Sequence, residues 1–275
     1  MSSAKVKYFV FDVESVADGE LVSQVRFPDE SLSSQEAVQR YREQLIEERN
    51  SDFIPYTFQI PISVVIAKVT EDFEIDDIVL LDEPEFRPHV IAEHFWRGWE
   101  RYDAPTFVSF NGRSFDIPLM ELAAYRYGVG VPKWFTQNAR SWEQPRNRYN
   151  TDAHLDLQDL LCNFGATRFN GGLNLAAHLL GKPGKMDVQG HMVQDMYDRG
   201  ELDRINDYCR CDVLDTYFVF LRGCVLTGRM SLEREQEIIA TTKEWLSKNA
   251  DGSPAYQQYL REWGDWQNPW HGRGS

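Results

Sequence analysis

Hydrophobic positions along this chain fall into short β-branched and aromatic runs separated by segments of helical period, the alternation expected of an α/β domain. Val6 to Val13 is such a run and predicts a buried strand. Residues 15–56 are polar and acidic, with a helix predicted from Gln35 to Arg49 after Ser33-Ser34, and read as an insertion outside the core sheet. Ile62 to Val69 and Ile78 to Leu81 predict the next two strands, antiparallel to the first because their connections are short. Ile91, Phe95 and Trp99, four apart, mark a helix from Val90 to Tyr102. Thr106 to Phe110 is a further strand that delivers Asn111-Gly112 into a turn. Phe115 to Tyr127 then reads as a helix with Pro118 tolerated in its first turn.

Residues 128–151 mix Gly, Pro and aromatics without a period and predict a long surface excursion. Leu155 to Phe164 and Leu173 to Leu180 read as short helices, the second stopped by Gly181. Ile205, Tyr208, Asp212, Asp215 and Val219 recur three or four apart within a long helix from Leu202 to Leu226. The segment 231–275 is expected to be helical to about Lys248, then Trp- and Gly-rich and peripheral. The expected organisation is one domain over 1–230, with 231–275 as a helical extension packed on it; no internal repeat is visible.

With 275 residues, 42% of them hydrophobic, the chain can bury one sizeable core with elaborations. No apolar run approaches a membrane span and no signal segment is visible, so a cytoplasmic protein without a membrane partner is expected. Cys162, Cys209, Cys211 and Cys224 form neither a CxxC pair nor a disulfide framework. Cys209 and Cys211 read as reduced residues on opposite sides of one helix rather than as soft metal ligands. The net charge of −14 argues against a simple phosphate-binding surface, but its distribution is uneven. Glu71 to Glu93 holds nine acids and one arginine; Leu122 to Thr151 holds five basic residues and one acid; Asn163 to Met186 holds Arg168, Lys182 and Lys185 and no acid. Such runs are commonly solvated faces, so the asymmetry supports a nucleic-acid partner without requiring one.

Three motifs carry candidate chemistry. Asp12-Val13-Glu14 closes the first strand, and residues two apart on a strand face the same side. Two like charges so close need a cation to neutralise them. Asp116 ends Asn111-Gly112-Arg113-Ser114-Phe115-Asp116, which a turn and helix cap would explain equally well. Tyr208 and Asp212 share one helix face, as a buried tyrosine on an amphipathic helix also would. Four carboxylates in this order, on strand end, turn and helix, suit a pair of divalent ions held by hard oxygen ligands, Mg²⁺ or Mn²⁺.

The joint pattern resembles the Asp-Glu-Asp-Asp superfamily of 3′–5′ exonucleases, in its tyrosine branch. The histidine branch would place its histidine at position 207, here Asp207. More narrowly, His154-Leu155-Asp156-Leu157 through Phe164-Gly165, and Leu175 to Lys185, are similar to the predicted exonucleases related to the proofreading domain of family B DNA polymerases. The resemblance runs from about Val6 to Leu226. It implies a ribonuclease-H-like mixed sheet with helices on both faces. Asp12, Glu14 and Asp212 would hold one metal ion, Asp12 would bridge to a second, Asp116 would support that second ion, and Tyr208 would contact the attacking water. Asn111 and Phe115 match positions that contact the terminal nucleotide; Asp156 matches an acidic position near the site, or caps the following helix. His178 and His191 read as satisfied or exposed rather than as ligands.

The expected activity is release of nucleoside 5′-monophosphates from a 3′ end, on single-stranded DNA. The alternatives are an exoribonuclease or oligonucleotide-trimming enzyme, and an inactive domain that binds single strands or a protein. Retention of all four carboxylates and the tyrosine argues against the last. Arg146 and Arg148, interleaved with aromatics, and Arg168, Lys182 and Lys185 are the candidate strand contacts. No polymerase sequence accompanies the motifs, so a proofreading role is expected only through a replication or repair partner.

Overall fold

The computed structural model describes residues 5–136, 138–184 and 190–270, the His191 side chain excepted. The sheet has five strands: β1 (Val6–Ala17), β2 (Gln59–Thr70), β3 (Ile75–Leu80), β4 (Thr106–Ser109) and β5 (His154–Asp156), in the order β3-β2-β1-β4-β5. β1, β2 and β3 pair antiparallel, as expected, although only the β2–β3 connection is short and the insertion separates β1 from β2; β4 and β5 run parallel to β1. The helices are α1 (Gly19–Arg26), α2 (Ser34–Arg49), α3 (Pro88–Arg101), α4 (Asp116–Tyr127), α5 (Leu157–Leu161), α6 (Gly172–His178), α7 (Val193–Asp198), α8 (Leu202–Leu226), α9 (Leu232–Lys248) and α10 (Pro254–Arg261). This is the ribonuclease-H-like α/β arrangement, with helices on both faces of a mixed sheet. Among the described residues no helix is long and apolar enough to cross a membrane.

Strand alternation divides the core. Tyr8 and Val10 point to one face, where they pack with Val65, Ala67, Val108 and the α8 residues Val213, Tyr217 and Phe220. Phe9, Phe11 and Val13 point to the other, against Phe95, Trp96 and Trp99 of α3 and Leu119 and Met120 of α4. Asp12 and Glu14 have the parity of Tyr8 and Val10, so the fold aims them at α8. That consequence of period two is what builds the site.

The insertion has its own small core of Val22, Phe27, Val38, Tyr41, Leu45 and Ile54. Ser33 and Glu36 form a reciprocal capping box at the start of α2, and Asn50 closes it in the left-handed conformation. Two differences from expectation stand out here: residues 15–17 continue β1, and α1 is a helix that its eight residues, with only Val22 and Gly19 buried, do not announce. Asp18 ties the insertion down, its N–H donating to the Phe58 carbonyl and its carboxylate pairing with Arg126.

Two further expectations are corrected. Residues 154–156, expected to lead into or form part of a helix, are an edge strand paired with Phe107–Ser109, because three residues are too few to show a period. The C-terminal segment is not peripheral as far as α10: Ala255 and Tyr259 are fully buried, and the Tyr259 hydroxyl donates to Asp215 at 2.6 Å. Tyrosine buries well when its hydroxyl finds such an acceptor.

Candidate active site

β1 reaches Ala17, so Asp12 and Glu14 lie within a strand on the β2 side, opposite Val65 and Ser63. On the other side the parallel partner β4 pairs only as far as Val10. The two carboxylates therefore stand where the parallel edge stops, at the carboxyl end of the β1–β4 pair, where α/β folds open a cleft. A register shift between Glu14 and Ser15 marks an irregularity in the ladder just past the two carboxylates.

α8 crosses above this point. Glu14, Tyr208 and Asp212 are buried and Asp12 is half-buried. Tyr208 is hydrogen-bonded to Asp212 and lies in the field of Asp212, Glu14 and Asp12. Burial first, then these three charges, push its phenol far above the ordinary range, so it stays protonated. The Cys209 thiol donates to the Asp12 carbonyl at 3.5 Å and to its carboxylate at 3.6 Å. The ligand atoms of Asp12, Glu14 and Cys209 lie within 4.8 Å of one another. Burial and the same carboxylates push the Cys209 thiol well up, which makes it a donor to Asp12 rather than a thiolate ligand. Cys211 points the opposite way, toward the Ala255 carbonyl, as the helical spacing predicts.

Asp116 arrives from a third element, the first turn of α4, at only 5% exposure. Burial, then Asp12, then Asp156, push its carboxyl well above the usual range. The turn that delivers it is sterically fixed. Asn111 has φ of 67°, a conformation asparagine tolerates better than most residues. A Cβ at Gly112 would lie 2.4 Å from Ser109 Oγ and 2.7 Å from Asp116 Oδ2. Asp156 braces the same turn: its carboxylate accepts from Asn111 N at 3.0 Å, Arg113 N at 2.8 Å and Gln158 N at 2.9 Å, while capping α5. The cap reading of Asp156 is the one its contacts support.

The remaining sequence candidates disperse. Asn111 is exposed, and its side-chain oxygen accepts from Ser114 and Gln158. Phe115 is half-buried, its ring 5.8 Å from that of Phe53. Arg146 and Arg148 border a cavity of about 280 Å³ together with Asn111 and Ser114. Arg146 is held in a two-point pair with Glu121, and Arg148 donates to the Phe164 carbonyl. Arg168 is exposed between α5 and α6. Lys182 is interior: its ammonium sits 3.8 Å from the Trp263 ring centroid and 5.0 Å from that of Phe218, and donates to the Gly264 carbonyl. Burial lowers it to about 8. Lys185 and the His191 side chain lie outside the described residues; His178 is exposed and bonds the Asn174 carbonyl. In the 128–151 excursion, Trp134 is core, packed on Trp96, Trp99 and Phe107, whereas Trp142 and Tyr149 are exposed.

Sequence reasoning missed four neighbours of the site: Cys209 as a donor to Asp12, Arg113 as a brace through the His154 carbonyl and Asp159, and the insertion residues Arg42 and Phe53. Arg113 stood inside a motif and could have been questioned there. The insertion residues carry no motif at all.

A DNA polymerase of Archaeoglobus fulgidus is 24% identical to this chain over 159 residues, 58% of the chain and 20% of the polymerase. The chain thus matches about a fifth of that relative's length. A family match covers residues 51–263, which includes Asp116, Tyr208 and Asp212 together with α9 and most of the tail through Trp263, and begins after Asp12 and Glu14. The chain belongs to the family of predicted 3′–5′ exonucleases related to the exonuclease domain of PolB.

Proposed function

We propose that this chain is a metal-dependent 3′–5′ exonuclease that hydrolyses the terminal phosphodiester of single-stranded DNA and releases nucleoside 5′-monophosphates. The observation that carries the reading is the convergence of acidic side chains from β1 and α8 around Tyr208, with Asp116 of α4 in the field of Asp12. The donor set fits divalent ions: all four candidate ligands are carboxylates, the Cys209 thiol beside them stays protonated, and Asp116 is buried in the field of the Asp12 carboxylate.

Asp12, Glu14 and Asp212 would hold one ion, with Asp12 shared by a second that Asp116 supports. Two Mg²⁺ or Mn²⁺ ions supply activation of water and neutralisation of the phosphoryl oxygens. The chain's own residues position the rest. Tyr208, locked as a phenol, offers a hydrogen bond to the attacking water. Asn111 and Phe115 flank the terminal nucleotide, Arg146 and Arg148 border the adjoining cavity with Asn111, and the exposed Arg168 would add positive charge for a trailing strand.

Purified protein with Mg²⁺ or Mn²⁺ and 5′-labelled single strands tests this. A ladder shortening from the 3′ end, blocked by a capped 3′ terminus, is expected. Internal cuts in a circular strand overturn the polarity. Hydrolysis of RNA in preference to DNA moves the substrate to the exoribonuclease class.

A further inference from the structure

A cavity of about 360 Å³ opens beside Glu14, and the insertion forms one of its walls through Arg42 of α2 and Phe53 and Ile54 ahead of β2. Phe115 forms part of the wall as well, which joins this cavity to the candidate active site. Its volume is within the range of sites that bind small organic groups.

Arg42 is the unusual member. Its side chain is 24% exposed, its nearest carboxylate is Asp195 at 3.9 Å, and its Nε is buried without a hydrogen-bond partner among the described residues. A guanidinium cannot shed its charge, and with its nearest carboxylate 3.9 Å away the exposed end of Arg42 keeps terminal N–H donors for an incoming anion. Arg42 borders two cavities. The other, about 460 Å³, is lined by Asp18, Glu20, Asp195 and Asp198, a field that repels phosphate. On the Glu14 side the wall carries a further acid, Asp52, which is exposed, and two aromatic rings. Phe53 is 60% exposed and stands 5.8 Å from Phe115 at a tilt of 53°, an arrangement that can take an unstacked base against either ring.

We infer that the insertion supplies a strand-binding subsite: Arg42 takes an internucleotide phosphate near the 3′ end, and Phe53 stacks against an adjoining base. This rests on the nuclease reading above and adds to it residues that none of the metal motifs contains. The chemistry recognised is a nucleotide phosphate beside an unpaired base, so a single strand is favoured over a duplex end.

The test is binding of a fluorescein-labelled oligothymidylate to the full chain in EDTA, followed by anisotropy, with hydrolysis measured separately in Mn²⁺. Arg42→Met should weaken binding about ten-fold and reduce the salt slope by about 0.7, the loss of one phosphate contact. Asp195→Asn, which removes only the partner on α7, should change neither. Single methylphosphonates at each of the last three linkages should weaken binding by the parent protein, and at one linkage the loss should vanish in Arg42→Met. Phe53→Ala should weaken binding without altering the salt slope.

Equal affinity and an equal methylphosphonate profile in Arg42→Met and parent overturn the subsite, as does Asp195→Asn reproducing the Arg42→Met loss. If Arg42→Met does not fold, the scan on the parent decides, since no linkage-specific loss there overturns the subsite. Binding with this signature but no hydrolysis would sink the nuclease reading and leave the subsite standing. Hydrolysis with an unaltered Arg42→Met does the reverse.

Discussion

Asp116 and Asp156 are two aspartates buried beside the 111–116 turn, 5% and 4% exposed, and burial pushes both carboxyls upward. They differ in what compensates them. Backbone N–H groups of Asn111, Arg113, Gln158 and Asp159 converge on Asp156, which opposes the cost of burying its charge. Asp116 faces another carboxylate, Asp12, and its shift has little to offset it. Burial of a carboxylate is therefore no sign of function by itself. The identity of its partner separates a brace from a candidate ligand, and on the metal-dependent reading a cation would partner only Asp116.

The comparison breaks most sharply at the ligands. Asp12→Ala or Asp212→Ala should abolish hydrolysis, with an unchanged circular dichroism spectrum and an equal or higher Tm, because carboxylate repulsion is relieved. Retained turnover in either variant would remove the metal assignment. Next comes the pair itself. Asp116→Asn should lose most activity yet gain metal-free stability, whereas Asp156→Ala should lose about 3 kcal/mol of stability as backbone donors are orphaned. Denaturant melts of the two variants, moving in the same direction, would erase the distinction.

Tyr208→Phe should lower kcat about 10- to 100-fold with metal affinity unchanged, since it removes one hydrogen bond to the water. Isothermal titration with Mn²⁺ that shows lost metal affinity would place Tyr208 differently. Asp215 extends the comparison away from the site: burial raises it to about 7 although Tyr259 donates to it. The folded chain then holds a proton the unfolded chain has released, so stability should decline as pH rises from about 4 to about 7. Asp215→Asn should flatten that decline in thermal melts, and an unchanged profile would refute it. The smallest effect is expected for Arg146→Ala with Arg148→Ala. Both side chains already have protein partners, so the salt slope of strand binding should fall by no more than about 0.7 per arginine.

Much of this was legible without coordinates. Period two put Asp12 and Glu14 on one face of β1, period 3.6 put Tyr208 with Asp212 on α8 and Cys211 opposite Cys209, and Ser33-Ser34 announced the start of α2. Those are relations between residues close in sequence, governed by local geometry, and the ordered motifs carried the family resemblance with them. Long-range packing decided the rest. Lys182 looked like a phosphate contact and is enclosed by Trp263 and Phe218, because the tail folds back over α8. β5 exists because β4 offers it an edge, not because three residues prefer to be extended. Asp156 became a brace only when Asn111 and Arg113, more than forty residues away, turned their N–H groups toward it. Arg42 reached the wall beside Glu14 only through the docking of the insertion. Sequence fixes which side chains share a face of one element; which element that face meets is settled by the packing of the whole chain.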